Sequence, residues 1–242
     1  MPTAVLKDPN AIDGIIKSKD LVRKGRFIHI YGVSGSRKTR LAAQWPNPFF
    51  FDFDDGLESA KEFKWDAKCY AAPTEEDRAK SFAEFKKDWR KVFAMPYGTY
   101  VFDSLTTMGD AALSYAQYIG GRLGQHRTQA EWGIAIEELT DLFYDVKGMG
   151  KNVITISVEE LFKDEWVGKV RERPMIIGRS LPQNMPLWYD EFWRMEVITM
   201  PGDKEPDIVM HTSPGPTFVA KSRSNMPSIK NPTYEKIKGY FK

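Results

Sequence analysis

Lys38 and Thr39 stand directly after a turn that contains Gly32 and Gly35, and an apolar run, Phe27 to Tyr31, leads into that turn. A strand, a glycine-bearing loop, a Lys-Thr pair and a helix-forming segment are the parts of a phosphate-binding loop. Backbone N–H groups of such a loop point at phosphate oxygens, and the helix N-terminus behind them adds partial positive charge. The lysine reaches the β- and γ-phosphates, and the threonine hydroxyl ligates magnesium. The expected cofactors are therefore ATP and Mg²⁺. The expected contacts run through Gly32, Val33, Ser34, Gly35, Ser36, Arg37, Lys38, Thr39 and Arg40. The usual pattern has glycine just before the lysine. Here that residue is Arg37, which either contacts a phosphate itself or strains a turn that glycine would fill.

Magnesium on such a loop needs a partner carboxylate, usually at the end of a hydrophobic strand on the carboxyl edge of the sheet. The stretch TYVFDS, Thr99 to Ser104, supplies Asp103 as that ligand beside Thr39. Hydrolysis also needs a group to orient or deprotonate water. Asp52, Asp54, Asp55 and Glu58 lie at or just past the end of the aromatic run Phe49 to Phe53, where any of them could approach a γ-phosphate. A solvated acidic turn would have the same composition. His29, His126 and His211 are far apart and have no cysteine companions, so no zinc site is expected. Ser34 and Ser36 lack the G-x-S-x-G setting of a nucleophile elbow.

The elements that must position these residues follow from periodicity. Strands are expected at Phe27–Tyr31, Phe49–Phe53, Lys68–Ala72, Thr99–Phe102 and Val153–Ser157. Helices are expected at Thr39–Trp45, ended by Pro46 and Pro48, and at Thr74–Phe93, with Phe82, Phe85, Trp89 and Val92 on one face. Ala111–Ile119 reads as helix, and Thr128 with Glu131 caps another that Gly148 and Gly150 stop. Glu159 to Pro186 is charged and poor in periodicity, and reads as a long functional loop. Phe192–Met200 and Asp207–Thr212 read as two strands joined at Pro201-Gly202-Asp203, with Phe218–Lys221 as a last strand. Alternating strands and helices predict an α/β fold with a mostly parallel sheet, and the late strands predict an antiparallel extension at one edge. The expected organisation is a lead-in over 1–26 with a short helix near Ile12–Lys17, one nucleotide-binding domain over 27–226, and a basic tail over 227–242.

Composition is that of a soluble globular chain: 42% hydrophobic and 28% charged residues in 242, with a net charge of only +2. Global charge therefore does not announce a nucleic-acid binder, although the segment from Thr217 onward carries Lys221, Arg223, Lys230, Lys236, Lys238 and Lys242 against Glu235 alone. Cys69 is the single cysteine, so no intrachain disulfide is possible, which suits a reducing cytosol. Neither a signal peptide nor a membrane-spanning run is expected.

FFFDFDDGLESA, TYVFDS, the VITIS strand and the late AKSR together resemble the RecA/RadA-like recombination ATPases. The strongest resemblance is to small phage-encoded RecA-core ATPases, often called AAA-type NTP-binding proteins, which are associated with single-strand annealing and recombination. It spans about Phe27 to Met226. It implies a DNA-stimulated ATPase that assembles into a ring or filament, acts on single-stranded DNA and works beside a single-strand-binding or annealing protein. The implied location is the cytoplasm, that of a host cell for a phage protein. Lys38 is the implied catalytic cation, and Asp54 falls where such enzymes carry a catalytic glutamate, with Asp55 as its substitute. Lys221 and Arg223 match a cation pair that reaches a neighbouring subunit's nucleotide, where it would stabilise transition-state charge. The segment after VITIS resembles in position a loop that contacts single-stranded DNA. Its candidates are Phe162, Lys163, Trp166, Lys169, Arg171, Arg173 and Arg179, aromatics and cations suited to stacking and phosphate contact. Where the family often has a glutamine or histidine that senses the γ-phosphate, this chain has Val158-Glu159.

Two other functions fit parts of the same pattern. Arg37, Asp54 and the missing sensor suit a nucleotide or DNA binder that does not hydrolyse. A small-molecule or nucleotide kinase shares the loop, but no arginine-rich lid segment accompanies it here.

Overall fold

The apolar run that leads into the phosphate-binding loop is the centre of the sheet. The structure is a computed structural model and describes residues 25–164, 168–202 and 205–241. Strand β1 (Phe27–Gly32) lies between β5 (Asn152–Asp164) and β7 (Glu191–Ile198) and is parallel to both. Beyond β5 come β4 (Thr99–Asp103), β2 (Pro48–Asp52) and β3 (Asp66–Cys69), all parallel. On the other side of β1, β8 (Asp207–His211) runs antiparallel to β7, and β10 (Ile229–Lys230) runs antiparallel to β8. The order is β10-β8-β7-β1-β5-β4-β2-β3, with β6 (Lys169–Pro174) paired to β5 and β9 (Lys221–Ser222) paired to β7. The fold is thus α/β, mostly parallel with antiparallel edge strands, as the pattern of elements predicts.

Side chains alternate between two buried faces, which explains the near-continuous apolar runs. Phe27, Tyr31, Phe49, Phe51, Tyr100 and Phe102 pack on one face, under α2 (Glu75–Phe93), α3 (Leu105–Ile119) and α4 (Gln129–Gly148). Ile28, Ile30, Phe50 and Val101 pack on the other, with Leu41 of α1 (Lys38–Ala42) and the C-terminal segment. Thr74 caps α2 by accepting from the Asp77 N–H at 3.1 Å, and Thr128 with Glu131 forms the capping box of α4.

Four expectations change. The helix after the loop is shorter than Thr39–Trp45 and gives way to turns after Ala42. Helix α3 starts at Leu105 rather than Ala111; Thr106 and Thr107 in its first turn interrupt the apolar signal there. The stretch from Glu159 to Pro186 is not a loop. β5 continues to Asp164, β6 pairs back on it, and α5 (Ser180–Trp188) follows, with Pro186 inside the helix. The hairpin escapes sequence patterning because charged cross-strand neighbours, such as Glu160 beside Arg173, replace apolar alternation. Finally, the basic segment 227–242 is not a tail. β10 extends the sheet, and α6 (Tyr234–Ile237) places Ile237 at 0% exposure in the second core. Phe241 packs at 5.5 Å from Trp45. The lead-in helix expected near Ile12–Lys17 lies outside the described residues.

Candidate active site

The phosphate-loop residues, Asp54 and Asp103 gather at the carboxyl ends of the parallel strands. β1 ends at Gly32, and the chain turns through Val33, Ser34 and Gly35, all exposed, before Ser36 turns back to donate to the Val33 carbonyl at 2.8 Å. Gly32 is required by space: a Cβ there would meet the Met195 carbonyl oxygen at 2.2 Å. Arg37 adopts φ 64° and ψ 27°, the left-handed region, and stands at the N-terminus of α1. That is the conformation glycine enters without a Cβ penalty, so the departure from the pattern leaves the turn in place at a cost of about 1–2 kcal/mol. Its guanidinium reaches Glu205 at 3.3 Å.

Lys38 is buried, and its ammonium donates to the carbonyls of Gly32 and Val33, both at 2.8 Å, and to Ser36 Oγ at 3.3 Å. Burial lowers the ammonium to about 8, with Asp103, Asp54 and Glu159 acting in the opposite direction. Thr39 Oγ1 donates to Asp103 Oδ2 at 2.6 Å. Asp103 is 4% exposed, and burial raises its carboxyl to about 7. Asp54 and Asp52 push the same way, while the Thr39 hydroxyl and Lys38 pull it down. The Asp103–Ser104 peptide is cis. A threonine hydroxyl beside a carboxylate is a hard-oxygen pair suited to magnesium, and a carboxyl in this setting gains from a nearby dication. The residues present therefore fit Mg²⁺, and the loop fits a nucleotide phosphate.

These side chains line one cleft of about 350 Å³, with Arg40, Asp54, Ser59, Ser104 and Ser157 on its wall. The strand register explains the convergence: Asp52 at the end of β2 sits level with Asp103 at the end of β4. The four acidic candidates separate clearly. Asp52 is buried and accepts the Asp54 N–H at 3.1 Å, and burial raises its carboxyl. Asp54 faces the cleft, and its Oδ1 accepts from Ser104 Oγ at 3.1 Å and from Thr107 Oγ1. Asp55 turns away at φ 53° toward Cys69, and Glu58 pairs with Lys61 at 3.2 Å. Asp54 rather than Asp55 thus shares the cleft with Lys38. Asp52, Asp55 and Cys69 come close enough to share an ion, but hold no feature beyond that proximity.

Lys221 and Arg223 lie elsewhere. Lys221 pairs with Phe192, which lies beside His29, three residues before Gly32. The pair is therefore about 10 Å back along the sheet from its own phosphate loop, toward the opposite edge. Arg223 is bonded to Asp190 at 2.8 Å, and Lys221 to the Pro186 carbonyl. Of the DNA candidates, Lys163, Lys169 and Arg179 are exposed. Arg173 is engaged by Glu160 at 2.7 Å and covers one face of the Phe162 ring at 3.9 Å. Arg171 lies on the same face of the hairpin, and Trp166 falls outside the described residues. Glu159, where the resemblance would place a γ-phosphate sensor, accepts from Arg194 at 2.6 Å and 3.2 Å as a buried ion pair.

The sequence reading missed Ser104 and Thr107. Their signal was local: hydroxyl residues one and four positions after Asp103, where a helix begins.

A left-handed turn into a helix, a buried lysine folded onto it, and a threonine hydroxyl on a buried aspartate define a P-loop NTPase site. The chain belongs to the AAA domain family, which it matches over residues 24–224. No curated protein matches it. Among solved structures it is similar to a KaiC-like protein from the archaeon Pyrococcus horikoshii OT3, with 16% identity, 77% of each chain covered and a TM-score of 0.44. It is also similar to the flagellar accessory protein FlaH from Methanocaldococcus jannaschii, with 12% identity, 79% of each chain covered and a TM-score of 0.39. Among the described residues no helix is long and apolar enough to cross a membrane.

Proposed function

We propose that this protein is a magnesium-dependent ATPase whose turnover is stimulated by single-stranded DNA. The observation that carries the hydrolytic reading is Thr39 Oγ1 on Asp103 Oδ2 at 2.6 Å, in one cleft with Lys38 and Asp54. Thr39 and Asp103 would hold Mg²⁺, which when bound neutralises charge on the phosphate oxygens. Lys38 leaves the Gly32 and Val33 carbonyls to meet the β- and γ-phosphates. Loop N–H groups and the start of α1 bind the remaining phosphate oxygens. Asp54 orients the attacking water and accepts its proton.

Lys221 and Arg223 lie too far from their own loop to act in cis. In a ring or filament they would complete a neighbouring chain's site, so turnover would rise with assembly. The DNA reading rests on Lys163, Lys169 and Arg179, exposed cations on the β5–β6 hairpin and at the start of α5. A place in recombination or annealing, including a phage origin and a cytoplasmic setting, rests on the resemblance alone.

The test is ATP turnover by purified protein across a range of protein concentrations, with and without single-stranded DNA. Turnover that rises with DNA and falls at least about a hundredfold in Lys38→Ala supports the reading. ATP binding without turnover would make the protein a non-hydrolysing binder. Absence of ATP binding at millimolar nucleotide would end the nucleotide reading, and turnover indifferent to DNA would end the DNA part.

A further inference from the structure

The Asp54 carboxylate is held from one side only. Thr107 Oγ1 and Ser104 Oγ both donate to Oδ1, and the two hydroxyls lie 3.1 Å apart. Among the described residues no hydrogen bond reaches Oδ2. Both hydroxyls belong to the start of α3: Ser104 is its N-cap residue and Thr107 lies in its first turn. Ser104 makes no side-chain cap bond, and Thr107 Oγ1 lies 3.2 Å from the Ser104 carbonyl, farther than from Asp54. The magnesium-side carboxylate and the two hydroxyls thus come from one continuous turn, Asp103 to Thr107.

We propose that Thr107, assisted by Ser104, is the positioning residue for Asp54: it fixes Oδ1 and thereby presents Oδ2 to the attacking water. The inference rests on the hydrolytic reading above. Its physical basis is that aspartate is a methylene shorter than glutamate, so its carboxylate reaches less far from β2 and must be aimed. A carboxylate on the exposed Asp54 would otherwise rotate freely about χ2. Two donors on one oxygen select a single orientation, and orientation at the reacting centre is where displacement of about 1 Å costs up to a hundredfold in rate. The neighbouring Thr106 is engaged differently: its hydroxyl accepts the Val158 N–H at 3.0 Å and donates to the Met175 carbonyl at 2.8 Å. Thr106 therefore anchors the helix turn to the base of the hairpin, whereas the Thr107 hydroxyl, which also lies 3.2 Å from the Ser104 carbonyl, makes its shorter contact with Asp54.

The experiment compares Thr107→Val, Thr107→Ser and Ser104→Ala, each alone and in an Asp54→Asn background, reading kcat, KM for ATP and urea unfolding. Thr107→Val should lower kcat about tenfold or more with KM within about twofold, because the phosphate contacts are untouched. Thr107→Ser should restore most of kcat. In Asp54→Asn, Thr107→Val should add little, since the group it aims is gone. Unchanged kcat in Thr107→Val, failure of serine to rescue, or full additivity with Asp54→Asn overturns the inference. If Thr107→Val does not fold, Ser104→Ala carries the same expectation at reduced size, and unchanged kcat there overturns it equally. Wild-type protein without turnover would overturn the hydrolytic reading instead, and turnover that survives Asp54→Asn would remove Asp54 from the mechanism.

Discussion

Arg37→Gly is the substitution in which loop geometry and energetics can be separated. Arg37 sits at φ 64°, in a region that costs a residue with a Cβ about 1–2 kcal/mol. Glycine removes that cost. It also frees the unfolded chain, which offsets about 0.5–1 kcal/mol. The lost contact with Glu205 joins two exposed side chains, 40% and 81% accessible, and is worth about 0–1 kcal/mol. The sum runs from about 1 kcal/mol lost to about 1.5 kcal/mol gained, with the loop conformation and ATP affinity preserved. Arg37→Val makes the opposite case, because a β-branched residue is a true outlier at positive φ. It should cost about 2 kcal/mol or more relative to Arg37→Gly, or weaken ATP binding as the loop distorts. Urea unfolding gives the stabilities, and titration with a fluorescent ATP analogue gives the affinities. Arg37→Gly that loses more than about 2 kcal/mol, or loses ATP binding, would refute the argument and make the guanidinium itself a nucleotide contact. Arg37→Val equal to wild type would refute the strain.

Two further outcomes follow from the same structure. His29 is fully buried between Thr155 Oγ1 at 2.8 Å and Ser157 Oγ at 3.1 Å, and burial, with the Lys38 charge second, lowers its pKa to about 3. Between that value and about 6.5 the unfolded chain binds a proton that the folded chain does not, so stability falls as pH drops through this window, by about 1.4 kcal/mol per unit from this group. Urea unfolding at pH 5 and pH 7 should show a smaller pH difference for His29→Gln than for wild type, and an equal difference would remove His29 as a cause. Ile237→Ala should lose about 2–5 kcal/mol, because the side chain is wholly buried in the second core; a loss under about 0.5 kcal/mol would mean that the C-terminal segment is not part of the folded unit.

What the sequence determined by itself was the nucleotide chemistry and the parallel sheet that serves it. The run Phe27–Tyr31 with Gly32, Lys38 and Thr39, and the apolar run ending at Asp103, are local patterns of adjacent residues, and adjacency survives folding. The strongly periodic helices α2 and α4 and the Thr128–Glu131 capping box of α4 were legible for the same reason. Only the tertiary structure shows that Asp54, and not Asp55, shares the cleft with Lys38. Both follow the same strand, and the choice depends on a left-handed turn at Asp55 and on hydroxyls fifty residues away in α3. It also decided that Arg173 covers Phe162, that Glu159 pairs with Arg194, and that Lys221 and Arg223 lie far from their own loop. These are relations across strand pairings and buried ion pairs, set by register and by the need to satisfy charge inside the protein, and no short stretch of chain carries them.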